Sequence, residues 1–170
     1  HSSLPFLHFF DGFRTSHEIQ KIKMVTYDAI KEMVPMDIVQ KHRDRGLNPK
    51  HPHLRGTSQG PDVYFQNVEA ANKFYNATPA IVEKMMNEFA AKFGRQYGLF
   101  DYYGAPDAEH VVVCMGAGTL VLEEAADYLL AQGQKVGVVK VHLFRPWSLS
   151  HFMAKIPKTC KFVTVLERTK

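Results

Sequence analysis

The sequence predicts an α/β fold built on a parallel, doubly wound sheet. Short apolar runs rich in β-branched residues lie at 110–115, 135–144 and 161–167, spaced by about 25 residues, and a helical pattern fills each interval. A glycine or proline closes each of those helical patterns. Strands joined by helical crossovers of this length pair in parallel, with a right-handed connection.

From the N-terminus, "HSSLPFLHFF" reads as strand-like and Asp11-Gly12 as a turn pair. Thr15 and Glu18 then have the spacing of a capping box, in which the Thr oxygen accepts from a backbone N–H and the Glu reaches back. The polar cluster Asp11 to Glu18 is therefore read as the place where a strand becomes a helix. A catalytic triad is the weaker reading, because residues adjacent in sequence rarely point at one another. Arg14 and His17 are left open, since the carboxyl end of a strand is where α/β sheets hold ligands.

The middle, "KHRDRGLNPKHPHLRGTSQGPDVYFQ", loses all periodicity to Gly46, Gly56, Gly60, Pro49, Pro52 and Pro61. It is expected to be an ordered connector, because Leu54, Val63, Tyr64 and Phe65 need burial. His42, His51 and His53 invite a metal reading, but positions around Pro52 diverge and no acidic or Cys partner stands at ligand spacing. A surface loop is preferred.

Next, "ATPAIVEKMMNEFAAKFGRQ" predicts a helix with Thr78 as N-cap, Pro79 at the first helical position and Gly94 at the end. Ile81, Val82, Met85, Met86, Phe89 and Phe93 form one apolar stripe, expected to be core. The domain boundary is placed near 75–78.

"HVVVCM" at 110–115 is a strand covered on both faces. Leu122, Ala125, Ala126, Leu129 and Leu130 then give a helix that Gly133 terminates. The preceding "MGAGTL" falls short of a dinucleotide fingerprint, because Val121 stands where the third Gly belongs. The helix N-terminus remains able to hold an anion. "KVGVVKVHLF" is the second strand, and "SLSHFMAKI" a short helix capped by Ser148 and closed by Pro157. "KFVTVLE" is the third strand. Arg145 and Trp147 follow the second strand, where an Arg suits either an anionic ligand or a salt bridge to a neighbouring domain.

Composition narrows the function classes. The chain has 170 residues, 45% hydrophobic and 22% charged, with a formal charge of +4, which is only mildly basic. No Lys/Arg run with interleaved aromatics suggests a nucleic-acid surface, and no apolar run is long enough to span a membrane. Cys114 and Cys160 alone cannot bind a zinc or an iron–sulfur cluster, and Cys114 in its apolar run reads as a buried free thiol. A reducing compartment fits. The opening inside a strand and the abrupt ending lead us to expect a segment of a longer protein. Residue chemistry alone stops at an α/β segment with no self-contained active site.

The stretches "FFDGFRTSHE", "NPKHPHLRGTSQGPDVYFQ", "FDYYGAPDAEHVVVCMGAGTLVLEEAADYL" and "VKVHLFRPWSLSHFMAKIPKTCKFVTVLERTK" resemble the pyruvate:ferredoxin (flavodoxin) oxidoreductase family, in order and along essentially the whole chain. The resemblance implies two parts. Residues 1–76 would be the end of an α/β domain that binds the pyrimidine side of thiamine diphosphate, plus the connector. Residues 77–170 would be a domain similar to the C-terminal domain of transketolases.

For the whole enzyme the resemblance implies oxidative decarboxylation of pyruvate, with coenzyme A taking the acetyl group and electrons passing to ferredoxin or flavodoxin. Thiamine diphosphate, Mg2+ and [4Fe–4S] clusters would be its cofactors, other domains of the same chain and a second subunit its packing partners, and the cytoplasm or the hydrogenosome its compartment. The family's catalytic, metal and cluster motifs fall outside these residues, so no site residue is carried over. The segment is expected to scaffold domain packing, with Arg14, Arg55 and Arg145 as the residues to probe at interfaces. Alternatives are a related enzyme acting on another 2-oxoacid, such as 2-oxoglutarate or an indole or branched 2-oxoacid, one subunit of a split enzyme, and a non-catalytic α/β interaction module.

Overall fold

The computed structural model describes residues 1–53 and 58–167, apart from the side chain of Arg14. Its elements in chain order are α1 (Arg14–His17), α2 (Tyr27–Met33), α3 (Met36–Asp44), α4 (Pro61–Phe93), β1 (Phe100–Gly104), β2 (His110–Cys114), α5 (Gly118–Ala131), β3 (Val136–Val141), α6 (Leu149–Met153) and β4 (Phe162–Val165).

The strands form one sheet in the order β1-β3-β2-β4. Val111 of β2 lies opposite Gly137 of β3 and Val163 of β4, and both pairings are parallel, as expected. The chain steps from β2 through α5 to β3, then returns through α6 to β4 on the far side of β2. Steps in opposite directions put the two crossovers on opposite faces if both have the usual hand.

Side-chain alternation agrees. Val111, Val113, Val139 and Val141 point into a core with Leu99, Phe100 and Leu143, which Val82 and Met86 of α4 and Phe152 of α6 cover. The opposite face carries Val138 and Lys140. There Lys140 Nζ meets Glu123 Oε1 of α5 at 2.6 Å, and Tyr103 donates to Asp127 Oδ1 at 2.6 Å.

Strand β1 was not expected. It pairs antiparallel with β3, Tyr102 opposite Val139, which makes the sheet mixed but mainly parallel. "FDYYG" is short and aromatic, sits between Gly98 and Gly104, and has no helical crossover to mark it. Its register depends on Gly137, where any Cβ would run into the Tyr102 ring, and on Gly104, at φ +122°, whose Cβ would strike the Gly137 backbone.

The region before β1 departs most from expectation. Helix α4 starts at Pro61 with Gly60 as N-cap, and Thr78 and Pro79 lie inside it. The helix continues through Pro79, and the fully buried Thr78 hydroxyl donates to the Phe74 carbonyl at 2.7 Å. The N-cap reading of Thr78 is therefore corrected. Helix α4 does end as foreseen, at Gly94 with φ +67°. The connector shrinks too, because "KHRD" ends α3 and "PDVYFQ" opens α4.

Residues 5–10 have no ladder partners, so "FLHFF" is not a strand. The α4 stripe (Ile81, Val82, Met85, Met86, Phe89) is half-buried, and it lines a cleft of about 1050 Å³ against residues 1–6, α3 and the end of α2. An ion pair between Lys92 and Glu32 ties α4 to α2.

Candidate functional site

In α/β sheets ligands bind beyond the carboxyl ends of the strands, where the strand order reverses. Here that place is the end of β2, between β3 and β4. Strand β2 stops at Cys114, Gly116 turns the chain at φ +75°, and α5 begins at Gly118. The N-cap position is Ala117, whose side chain cannot accept a hydrogen bond. Thr119 ties the turn to itself, its hydroxyl donating to the Gly116 carbonyl at 2.8 Å.

The missing acceptor comes from the other end of the sequence. Asp11 Oδ2 accepts a hydrogen bond from the Ala117 N–H, and a Cβ on Gly116 would collide with that same carboxylate. A helix N-terminus carries partial positive charge and open N–H groups, so a carboxylate there is stabilised twice. The two stretches that sequence analysis singled out separately, "FFDGFRTSHE" and "MGAGTL", thus form one site. The anion foreseen for the α5 N-terminus is supplied by the chain.

Cys114 flanks this contact, its Sγ lying 3.3 Å from where a Gly118 Cβ would sit. Burial pushes the thiol up from its ordinary value, and the negative charges of Asp11 and Glu167 push it further. That environment disfavours the thiolate, so the site is not arranged for nucleophilic sulfur chemistry.

Asp11 opens a tight turn. Phe13 has φ +58°, uncommon for a bulky residue, and its carbonyl accepts twice, from Ser16 Oγ at 3.1 Å and from His17 Nδ1 at 2.7 Å. A carbonyl only accepts, so His17 carries its proton on Nδ1, and its ring packs 5.1 Å from that of Phe13. Thr15 lies inside α1 rather than before it, which corrects the capping-box reading. Asp11, Ser16 and His17 serve the turn, although no strand leads into it.

The remaining sequence candidates do not gather here. Arg145 is exposed with its guanidinium 5.2 Å from the Phe144 ring centroid, while Trp147 packs on Phe100 and Phe152 at 4.8 and 5.0 Å. Ser148 is the N-cap of α6, yet its hydroxyl meets His151 Nδ1 at 2.6 Å instead of a backbone N–H. His42 faces Arg45 Nη2 at 3.4 Å, and His53 Nδ1 lies 3.1 Å from the His51 carbonyl. Arg55 lies outside the described residues, as does the Arg14 side chain. No three His, Cys, Asp or Glu side chains converge on a metal position among the described residues. No described helix is long and apolar enough to cross a membrane.

Architecture and site define a mainly parallel α/β protein whose switch-point anion position is filled from within. Residues 1–87 match the family model described as "Pyruvate flavodoxin/ferredoxin oxidoreductase, thiamine diP-bdg", and residues 108–170 the one described as "Pyruvate:ferredoxin oxidoreductase core domain II". The chain is 56% identical over 169 residues to the pyruvate dehydrogenase [NADP(+)] of Cryptosporidium parvum, covering 99% of this chain and 9% of that protein. It is 54% identical over 167 residues to the pyruvate:ferredoxin oxidoreductase of Moorella thermoacetica, covering 98% of this chain and 14% of the relative. A pyruvate-flavodoxin oxidoreductase of Enterobacter agglomerans is 52% identical, again over 98% of this chain and 14% of its own length. The chain belongs to the pyruvate flavodoxin/ferredoxin oxidoreductase family, and it spans about one seventh or less of the length of these relatives.

The α5 N-terminus and the cysteines do not fit the diphosphate and the clusters that this family implies. A diphosphate would compete with the Asp11 carboxylate for the α5 N-terminus. A [4Fe–4S] cluster needs about four thiolates, and the chain has the two cysteines Cys114 and Cys160.

Proposed function

We propose that the chain is part of an enzyme that oxidatively decarboxylates pyruvate with coenzyme A to acetyl-CoA and CO2 and passes the electrons to ferredoxin or flavodoxin. The observation that carries this reading is identity above one half over 98–99% of the chain to relatives named for pyruvate and these acceptors. Thiamine diphosphate, Mg2+ and [4Fe–4S] clusters are held by other parts of the longer protein, because the chemistry belongs to the cofactors and these residues supply no set of ligands for them. The enzyme works as a homodimer in the cytoplasm or the hydrogenosome.

This segment packs domains against one another. The division of domains falls near residues 76–77, inside α4. Supporting it, Val82 and Met86 beyond Pro79 pack on the sheet core. Arg14, Arg55 and Arg145 are the residues to substitute in probing a role at domain interfaces. If all three substitutions to Ala left assembly and turnover of the full enzyme unchanged, that role would be wrong.

The test of function is anaerobic viologen reduction by the intact enzyme with pyruvate, with and without coenzyme A. Rapid reduction that depends on both supports the reading. No reduction by enzyme loaded with thiamine diphosphate and clusters would point to another 2-oxoacid. A second reading of the acceptor, NADP(+), is favoured by the 56% identity to the Cryptosporidium parvum protein. Pyruvate-dependent NADPH formation, without added ferredoxin or flavodoxin, distinguishes it.

A further inference from the structure

We propose that β4 is an interior strand of a wider sheet, and that its open edge takes a further parallel strand from the same polypeptide, outside residues 1–170. This rests on the reading of the chain as part of a longer enzyme. Strand β4 stands last in the order β1-β3-β2-β4, so among the described residues no strand lies beyond it. The N–H groups of Phe162 and Leu166 donate towards β2, to the carbonyls of Glu109 and Val113 at 3.0 and 2.9 Å. Backbone direction alternates along a strand, so the N–H groups of Val163 and Val165 point out of the open edge.

The side chains agree. Val163 lies in register with Val111, and Val165 with Val113, on one face of the sheet. Val111 and Val113 are 1% and 5% exposed, whereas Val163 and Val165 are 52% and 64% exposed. The apolar face thus runs one strand past the layer that covers it. On the other face Phe162 stacks on His110 at 4.8 Å and is also exposed. A strand apolar on both faces has the composition of a parallel-sheet interior. Natural edge strands are blunted by a charge, a proline or a bulge, and Phe162–Val165 has none of these.

The occupant follows from how this sheet grows. Both parallel neighbours of β2 are reached through crossovers within the chain, each with a helix in it. A further one needs a dozen residues or more. The relatives supply ample length, since this chain spans 14% of two of them. A second copy meeting the edge across a twofold axis would pair β4 antiparallel with itself.

The test reads structure rather than turnover, so it fails or succeeds whichever 2-oxoacid the enzyme takes. Hydrogen–deuterium exchange is measured at single-residue resolution over 160–167 in the unmodified intact enzyme. The Val163 and Val165 amides should exchange about a hundredfold slower than in an unstructured peptide, or slower still. The photoreactive residue p-benzoylphenylalanine, placed at Leu166 in intact enzyme assembled from isotopically heavy and light chains, then identifies the neighbour. It should capture a β-branched segment of its own chain outside residues 1–170. Unprotected Val163 and Val165 amides beside slow Phe162 and Leu166 leave the edge open and overturn the proposal. A crosslink to a second copy, one confined to residues 1–170, or none at all overturns it too.

Discussion

The hydroxyl of Thr78 donates to the carbonyl of Phe74 at 2.7 Å, one residue before a proline in the interior of a 33-residue helix. Thr78 is fully buried, so its hydroxyl has no water to turn to. Replacing it with Val keeps the shape and removes the donor, at a cost of about 1 kcal/mol. Amide exchange over residues 74–82 of the intact enzyme should accelerate about fivefold in Thr78→Val. Unaltered exchange would mean that the hydroxyl contributes nothing to the continuity of α4.

Gly137 admits the Tyr102 ring across the β1–β3 pair. Gly137→Ala places a methyl group where the ring lies, an overpacking that costs about 1–3 kcal/mol. Thermal inactivation of the intact enzyme should move to lower temperature in Gly137→Ala and recover in part when Tyr102→Leu is added. Additive losses in the double variant would show that the two positions do not meet.

Two ion pairs brace the turn between β1 and β2. Lys135 lies 2.7 Å from Asp107, and Lys161 lies 2.7 Å from Glu109. Hydrogen bonds from these ammonium groups hold both carboxyls below their ordinary values. A carboxyl lowered by folding contributes stability above its unfolded value, and that stability is lost as pH falls through the folded one. Exchange over residues 104–110, corrected for its intrinsic pH dependence, should therefore accelerate below about pH 4. Lys135→Met should remove part of that acid response. The same bond raises Lys135, whose contribution is present below its unfolded value and lost as pH rises through the folded one.

Cys114 should alkylate slowly. Burial raises the thiol first, and the Asp11 charge adds to it. Iodoacetamide at pH 8 should modify Cys114 more slowly than a cysteine in an unstructured peptide, and Asp11→Asn should speed the reaction by removing one neighbouring charge. Equal rates in the two proteins would place the carboxylate out of electrostatic reach.

The parallel strands and α5 were legible because β-branched runs, helical spacing and the closing Gly133, at φ +79°, all act within a few residues. Strand β1 was not, because its pairing with β3 depends on a glycine 33 positions beyond Gly104. Thr78-Pro79 looked like a helix start because a Thr–Pro pair usually is one, and tertiary burial of the hydroxyl decided otherwise. Half of the candidate site was visible as a turn wanting small residues. Its other half, Asp11, gave a long-range contact that no local pattern encodes. The available signal was negative: Ala117, the N-cap residue before α5, offers no side-chain acceptor, so one had to come from elsewhere.

The hydrogen bond from Ala117 to Asp11 closes 106 positions of chain. Its acceptor leaves the ribosome first and its donor follows on the order of 5 to 20 s later at ordinary synthesis rates. Through that interval Phe9 and Phe10, which remain largely exposed even in the finished fold, have no anchored neighbour. The turn at Gly116 must form before there is anything for Asp11 to hold. Of the two stretches, the earlier-made one is thus fixed only once the later one is in place, and a slowed synthesis prolongs its exposure to proteases and chaperones.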